Sequence, residues 1–289
     1  LKLAFVFLFV GYGTKVGLVP MHSWLPDAYT EAPAPVAAML AGVLETVAVY
    51  AILRCRSIVD QAVPPDFTGG LLAVFGLVSF ALAAFFIFLQ HNYKRLFAYS
   101  SIEHMGLAMV GFGVGGPIGN FGGLFHLVNH ALAKSLAFFA AGNIHRRFKT
   151  VEIDQVRGLT TVLPWSALAL LIAGLALSAL PPFALFTSEM QIITALGSSG
   201  LPSEWAQSNT GFPIVVLLFC SLVAFGGLLY RITDMVWGVA PADIVPGEQW
   251  SVGHVPIILL GAVLGGFCWA LPPPLQQLFE AAATLLVNR

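Results

Sequence analysis

The stretch FHLVNHALAKSLAFF, residues 125–139, places His126, His130 and Lys134 four residues apart. On an α-helix that spacing projects all three from one stripe, with Asn129 beside it and about 6 Å of axial rise between successive groups. One or two waters bridge such gaps, so the pattern suits proton transfer. A polar stripe that only packs against another helix is the blander reading, but three ionisable groups exceed what packing needs. Two histidines at i and i+4 can also share a metal, and a haem would take a further histidine from another helix. No carboxylate or cysteine motif accompanies them. Cys55, Cys220 and Cys268 are far apart and form no C-x-x-C pair.

Other titratable residues fall inside or beside apolar runs. Lys15 lies about twelve residues into the first run, either snorkelling to an interface or acting as a buried amine. A desolvated ammonium holds its proton less well and a nearby carboxylate restores that hold, so moving one carboxylate would switch Lys15. Glu45, in AGVLETVAVYAIL, has no basic neighbour on its own helix and is either a protonated, hydrogen-bonded carboxyl or paired across helices. Glu189 follows Pro181-Pro182 in LPPFALFTSEMQII. It reads as an ion-site carboxylate beside a helix break, as a first-turn acid behind a Thr187 or Ser188 cap, or as both. Glu103 and His104, in YSSIEHMG, read first as a helix start capped by Ser100 or Ser101. Asp27 and Glu31 are interfacial turn residues or part of a proton entrance.

The elements that must carry these residues are membrane spans. The chain has 289 residues, 58% of them hydrophobic and 9% charged, at net charge −1. Its mean hydropathy is +0.86. A soluble domain carries roughly a quarter charged residues, so the fold class is an all-α integral membrane protein, with lipid, ions and membrane subunits as partners and no nucleic acid. A window of about 20 apolar residues finds eight runs, with cores near 1–20, 34–53, 69–90, 97–115, 120–142, 162–195, 212–236 and 254–271. The first and sixth contain prolines, at Pro20 with Pro26 and at Pro181-Pro182, and are expected to be discontinuous. Trp24, Tyr29, Trp165, Trp237 and Trp250 sit near run ends, as an aromatic belt would.

Alternating spans put Lys94-Arg95, Arg146-Arg147-Lys149-Arg157 and Arg231 on one side, and Arg54, Arg56 and Arg289 on the other. The positive-inside rule makes the first side cytoplasmic, with both chain ends outside. The chain opens Leu1-Lys2-Leu3 inside an apolar run, without an initiator methionine or signal peptide, which points to an N-terminally truncated polypeptide.

Four motifs in order, GTKVGLVPMHSWLPDAYTEAPAPVAAMLAGVL, YKRLFAYSSIEHMG, LVNHALAKSLAFFAAGNI and LPPFALFTSEMQI, resemble the antiporter-like membrane subunits of respiratory complex I, Mrp-type sodium/proton antiporters and energy-converting hydrogenases. The wording of AYSSIEHMG and PPFALFTSE is most similar to the hydrogenase-4 and formate hydrogenlyase type. The resemblance implies a fold of about fourteen helices built on two inverted repeats, each with a discontinuous helix. This chain would hold the later part, with a proton-conducting portion near 1–236 and an extra helix near 254–271. It also implies proton transfer along Lys15, Glu45, His126, His130, Lys134 and Glu189, with Asp27, Glu31, Glu103 and His104 as entrance or support. A glutamate that modulates the family's lysine would lie before Leu1. Glu45 stands one position before the family's usual Lys or His, Asn92 replaces a common Asp, and Ala184 a frequent Gly.

The expected function is proton translocation as a subunit of a redox-driven complex of the hydrogenase type in the cell inner membrane. Complex I and an Mrp-type antiporter without redox coupling are the alternatives, and a scaffold or haem-binding subunit is a third class. No cofactor or metal is expected in this chain. Iron–sulfur clusters and a metal centre would belong to partner subunits.

Overall fold

The computed structural model describes residues 1–199, 211–242, 244–269 and 271–287. Helices make up almost all of it. Among the described residues there is no strand, only an isolated bridge between Asn92 and Glu152.

The first apolar run forms α1 (Lys2–Val16). It stops at Gly17, whose φ of 86° is the left-handed conformation a glycine adopts without strain. The glycine therefore ends the helix before Pro20 is reached, and Pro26 sits in the first turn of α2 (Trp24–Glu31), where its missing N–H costs nothing. The break is stitched by side chains: Trp24 Nε1 donates to Thr14 O at 2.6 Å, and Ser79 Oγ accepts from Val19 N at 2.9 Å.

The second run is α3 (Ala34–Met39), a π-helical turn over Leu40–Leu44, and α4 (Glu45–Val59). Then come α5 (Pro65–Phe88), α6 (Tyr93–Val114) and α7 (Gly116–Phe148). Helix α6 starts well before the expected Ser100 or Ser101 cap, because Asn92 Oδ1 accepts from Lys94 N and Arg95 N at 3.0 and 3.1 Å. That contact gives the Asn92 departure a local role. Helix α7 runs 33 residues, further than its apolar core, since His145, Arg146 and Arg147 suit the negative end of a helix.

A short turn, α8 (Leu159–Val162), leads to α9 (Pro164–Leu177) and, after the expected proline break, α10 (Ala184–Ser199). Helix α11 (Gly211–Trp237), α12 (His254–Trp269) and α13 (Pro273–Val287) complete the described chain; α13 lies beyond the expected runs. Four of these stretches are each long and apolar enough to span a membrane, Ala34–Val59, Pro65–Phe88, Gly116–Phe148 and Gly211–Trp237, and the bent pair α12–α13 would make a fifth. Exposed Phe7, Val47, Phe85, Leu222 and Trp237 give the bundle the apolar exterior of a multi-pass membrane protein.

Helix α7 is the hub and packs against α3, α6, α9, α10, α12 and α13. Helices α5 and α6 meet backbone to backbone: a Cβ on Gly106 would lie 2.6 Å from Gly76 O, and one on Gly76 2.6 Å from Gly106 O. Without a hydrophobic drive between helices in lipid, such close approach is what holds a pair.

The basic residues separate as expected. Arg95 pairs with Asp27 at 2.9 Å, Arg157 with Asp234 at 3.1 Å, and Arg231 donates to Phe88 O, all at one end of the bundle. Arg56 donates to Phe112 O at the other end. Arg289 lies outside the described residues.

Candidate functional site, a buried titratable row

His126, His130 and Lys134 all point into the bundle from α7 and are fully buried. Lys134 Nζ donates to Phe97 O on α6 at 2.6 Å and lies within electrostatic reach of Glu45 and Glu103. The row is therefore closed by helices on both sides of α7.

Helix α6 contributes more than sequence reading expects. Glu103 and His104 are not first-turn residues; they sit mid-helix, buried, because the helix is capped at Asn92, eleven residues before Glu103. His104 Nε2 contacts Leu177 O at 3.0 Å, and His104 Nδ1 contacts His126 Nε2 at 3.1 Å. Leu177 is the last residue of α9, so the carbonyl set free by the second break is the one His104 meets. His126 Nδ1 contacts Ser188 Oγ at 2.9 Å, and Ser188 Oγ lies 2.8 Å from Leu185 O.

Leu177 O can only accept, so His104 Nε2 carries a hydrogen toward it, and neutral His104 accepts at Nδ1 from His126 Nε2–H. Neutral His126 has no hydrogen left for Nδ1, which accepts from the Ser188 hydroxyl. When the histidine pair holds a further proton, Nδ1 donates instead and the same hydroxyl turns to Leu185 O. The serine thus serves the pair in both protonation states, as a proton relay requires.

His130 follows one turn along α7. Neither ring nitrogen has a protein partner, and its ring centroid lies 5.3 Å from that of His104. Ser100 Oγ, Ser101 Oγ, Asn129 Oδ1 and Ser178 Oγ are likewise buried without a protein partner. Buried polar atoms of this kind are satisfied by ordered water, which suits a relay with gaps between its fixed groups.

Carboxylates lie at both ends. Glu45 is fully buried; its Oε1 accepts from Tyr29 OH at 2.6 Å while Oε2 has no protein partner. It opens α4 directly after the π-helical turn, a distortion that frequently marks functional positions. Tyr29 is fully buried, so it is a partner of Glu45 and not a belt residue. At the far end Glu189 Oε1 accepts from Ser221 Oγ at 2.5 Å. Glu189 lies beyond the first turn of α10, and Ser188 is engaged with His126, so neither capping reading holds. A cavity of about 10 Å³, bordered by Glu103, His104, Ser178, Glu189 and Ser221, has room for about one water.

Lys15 is placed elsewhere. It is exposed at the last turn of α1, with Nζ 5.6 Å from the centre of the Trp24 ring, and among the described residues no carboxylate pairs with it. Asp27 is exposed in its ion pair with Arg95. Glu31 borders a cavity of about 500 Å³ shared with Lys94 and Arg146, at the basic end. The structure thus brings together Glu45, Glu103, His104, His126, His130, Lys134 and Glu189, and leaves Lys15, Asp27 and Glu31 outside the row. The places of Tyr29, Ser188 and Ser221 in the row escape sequence reading; only the need of a buried hydroxyl for a partner flags them. Among the described residues no three of His, Cys, Asp and Glu converge as a metal site needs.

Residues 1–212 match the protein family described as NADH:quinone oxidoreductase/Mrp antiporter, TM. The chain is 36% identical over 286 residues to a hydrogenase-4 component F homolog of Methylacidiphilum infernorum (isolate V4), covering 99% of this chain and 57% of that protein. It is 34% identical over 280 residues to hydrogenase-4 component B of Escherichia coli (strain K12), covering 91% of this chain and 41% of that protein. The chain thus spans about half the length of the curated relatives it matches. A chain of the membrane-bound sulfane sulfur reductase, an archaeal respiratory membrane complex, superimposes with a TM-score of 0.84 at 27% identity, covering 96% of this chain and 54% of that one.

Proposed function

The chain belongs to the NADH:quinone oxidoreductase/Mrp antiporter family of transmembrane proteins, and from that membership we propose that its buried row carries protons across the membrane. The observation that carries this reading is the His104–His126–Ser188 chain, whose serine hydroxyl can serve the histidine pair neutral or protonated, set between buried carboxylates. A proton arriving at Glu45 passes to Lys134, then by water to His130 and the His104–His126 pair, and leaves through Glu103 and Glu189, or travels the same path in reverse. Residues 1–236 hold all of these groups.

The reading extends to a redox-driven complex of the hydrogenase type, the kind of protein both curated relatives are named for. Partner membrane and peripheral subunits in the cytoplasmic membrane would carry the iron–sulfur clusters and metal centre, and electron transfer would reach this chain only as a shift of charge. Lys15, at the first break, is assigned to receive that shift, with its carboxylate partner supplied from the face on which it is exposed. The water-sized cavity bordered by Glu103, Glu189 and Ser221 sets two carboxyls and a hydroxyl at one space, which makes sodium/proton exchange the second reading.

Membrane vesicles that contain the complete complex decide between these. Lys134→Ala is expected to abolish donor-driven acidification while leaving the subunits assembled, and acidification at the parent rate would overturn the proposal. Proton movement that requires sodium and no electron donor would replace it with the antiporter reading.

A further inference from the structure

Two cavities adjoin at the basic end of the bundle. The first, about 810 Å³, lies under the 245–251 loop and is bordered by Arg146 and Arg147 from the last turn of α7. The second, about 190 Å³, is an apolar groove between α7, α9 and α12, walled by Leu168, Ile172, Ile257 and Ile258. Trp250 and His254 border both, so the polar space opens directly onto the apolar one.

The shared wall is built, not incidental. The Trp250 ring stacks on His254 with centroids 5.2 Å apart and planes 16° apart. His254 Nε2 meets Glu248 Oε1 at 2.8 Å. Glu248 in turn accepts from Trp165 N at 2.7 Å, from Ser166 N at 3.1 Å and from the Ser166 hydroxyl. A carboxylate from the loop therefore caps α9, which has no side-chain cap of its own. Trp165 and Trp250 are both exposed, as indoles are at headgroup depth.

Charge selects the occupant. Arg146 uses an N–H on Asn143 Oδ1 and Arg147 one on Val245 O. A guanidinium has five N–H donors, so both retain several for phosphate oxygens. Glu248 is the only acid in the described lining of either cavity, and its oxygens are already engaged.

We propose that this pair of cavities binds an anionic phospholipid, with the phosphate against Arg146 and Arg147 and an acyl chain in the groove beneath Trp250. Neither half alone would specify a lipid. The polar cavity would take any phosphate and the groove any apolar chain, but their junction at an interfacial tryptophan fits a molecule with both.

The test uses the protein purified from membranes in mild detergent, stripped of lipid and titrated with phosphatidylglycerol or phosphatidylcholine under native mass spectrometry. Phosphatidylglycerol is expected to be retained preferentially. One basic residue near an anionic headgroup is worth about fivefold in affinity, so Arg146→Ala/Arg147→Ala should lower retention roughly thirtyfold, while Arg146→Lys/Arg147→Lys keeps most of it. Gly261 lines the groove and a Cβ there meets no atom within 4 Å, so Gly261→Phe starts a ring from open space and should also displace the lipid. Equal retention of the two lipids, retention that survives both the alanines and the filled groove, or displacement of the lipid by an equal concentration of inorganic phosphate overturns the proposal. So does a photo-crosslinker at Leu168 that captures a protein subunit in place of lipid.

Discussion

Ser188→Ala offers the sharpest test of whether the His104–His126 pair lies on the proton path. The substitution removes the hydroxyl that stands between His126 Nδ1 and Leu185 O. Two contacts remain, His104 to Leu177 O and His126 to His104, and two neutral histidines supply the two hydrogens they need. In the parent the hydroxyl donates to the neutral pair and accepts from the protonated one, and in the variant it does neither. A hydrogen bond to a charged group is worth about 1.5–3 kcal/mol and a neutral one about 0.5–1.5, so the protonated pair loses about 1–1.5 kcal/mol more and should become roughly 5- to 10-fold less populated. Proton movement through the row should slow by about fivefold or more if the pair is on the path. Folding should change little, since alanine fits wherever serine does and the neutral pair keeps its contacts to Leu177 O and within itself. The assay is acidification of proteoliposomes by the purified complex with electron transfer followed in parallel. Acidification within twofold of the parent, at unchanged electron transfer, would take the histidine pair off the proton path.

Tyr29→Phe strips Glu45 of its one described hydrogen bond and should cost about 1–3 kcal/mol in thermal or denaturant unfolding in detergent. Tyr29→Phe combined with Glu45→Leu should recover much of that loss, because no buried carboxyl is then left without a partner. Gly106→Ala places a Cβ 2.6 Å from Gly76 O, should destabilise the α5–α6 pair by about 1–3 kcal/mol, and should lower the melting temperature. At Glu248, outside the spans, burial alone would raise the carboxyl, but hydrogen bonds from Ser166, His254 and the Ser166 and Trp165 amides outweigh it and hold the group below its ordinary value. Its folded value is depressed, so its contribution is complete above the ordinary value near 4.5 and is lost as pH falls through the lower folded value. Glu248→Gln should flatten that acid limb, read as proteolysis of the 245–251 loop against pH.

Much of the row was legible because its signal is local. A period of four on α7 places His126, His130 and Lys134 on one stripe whatever surrounds the helix, and charges in apolar runs are too costly to be accidental. The two breaks were legible for a similar reason, since proline acts through its own ring, although Gly17 ends α1 before Pro20 can. The mid-helix place of Glu103 and His104 was not legible. Glu103 and His104 sit beside two serines, which looks like a helix start when read alone, and only Asn92 further upstream shows that the helix has already begun.

Composition, periodicity and local backbone chemistry were enough to specify a bundle of spans, its broken helices and the titratable face of α7, because each depends on residues within about one or two turns of each other. Contacts between helices depend on rotation and depth, which no local pattern encodes. Backbone contact at Gly76 and Gly106 seats α5 against α6, while the bonds from His104 to His126 and Leu177 O fix α6 against α7 and the broken α9. The same rotations place Tyr29 against Glu45, Ser188 against His126, and Lys15 on the outside. Packing alone thus decided which charges form one row and which face outward.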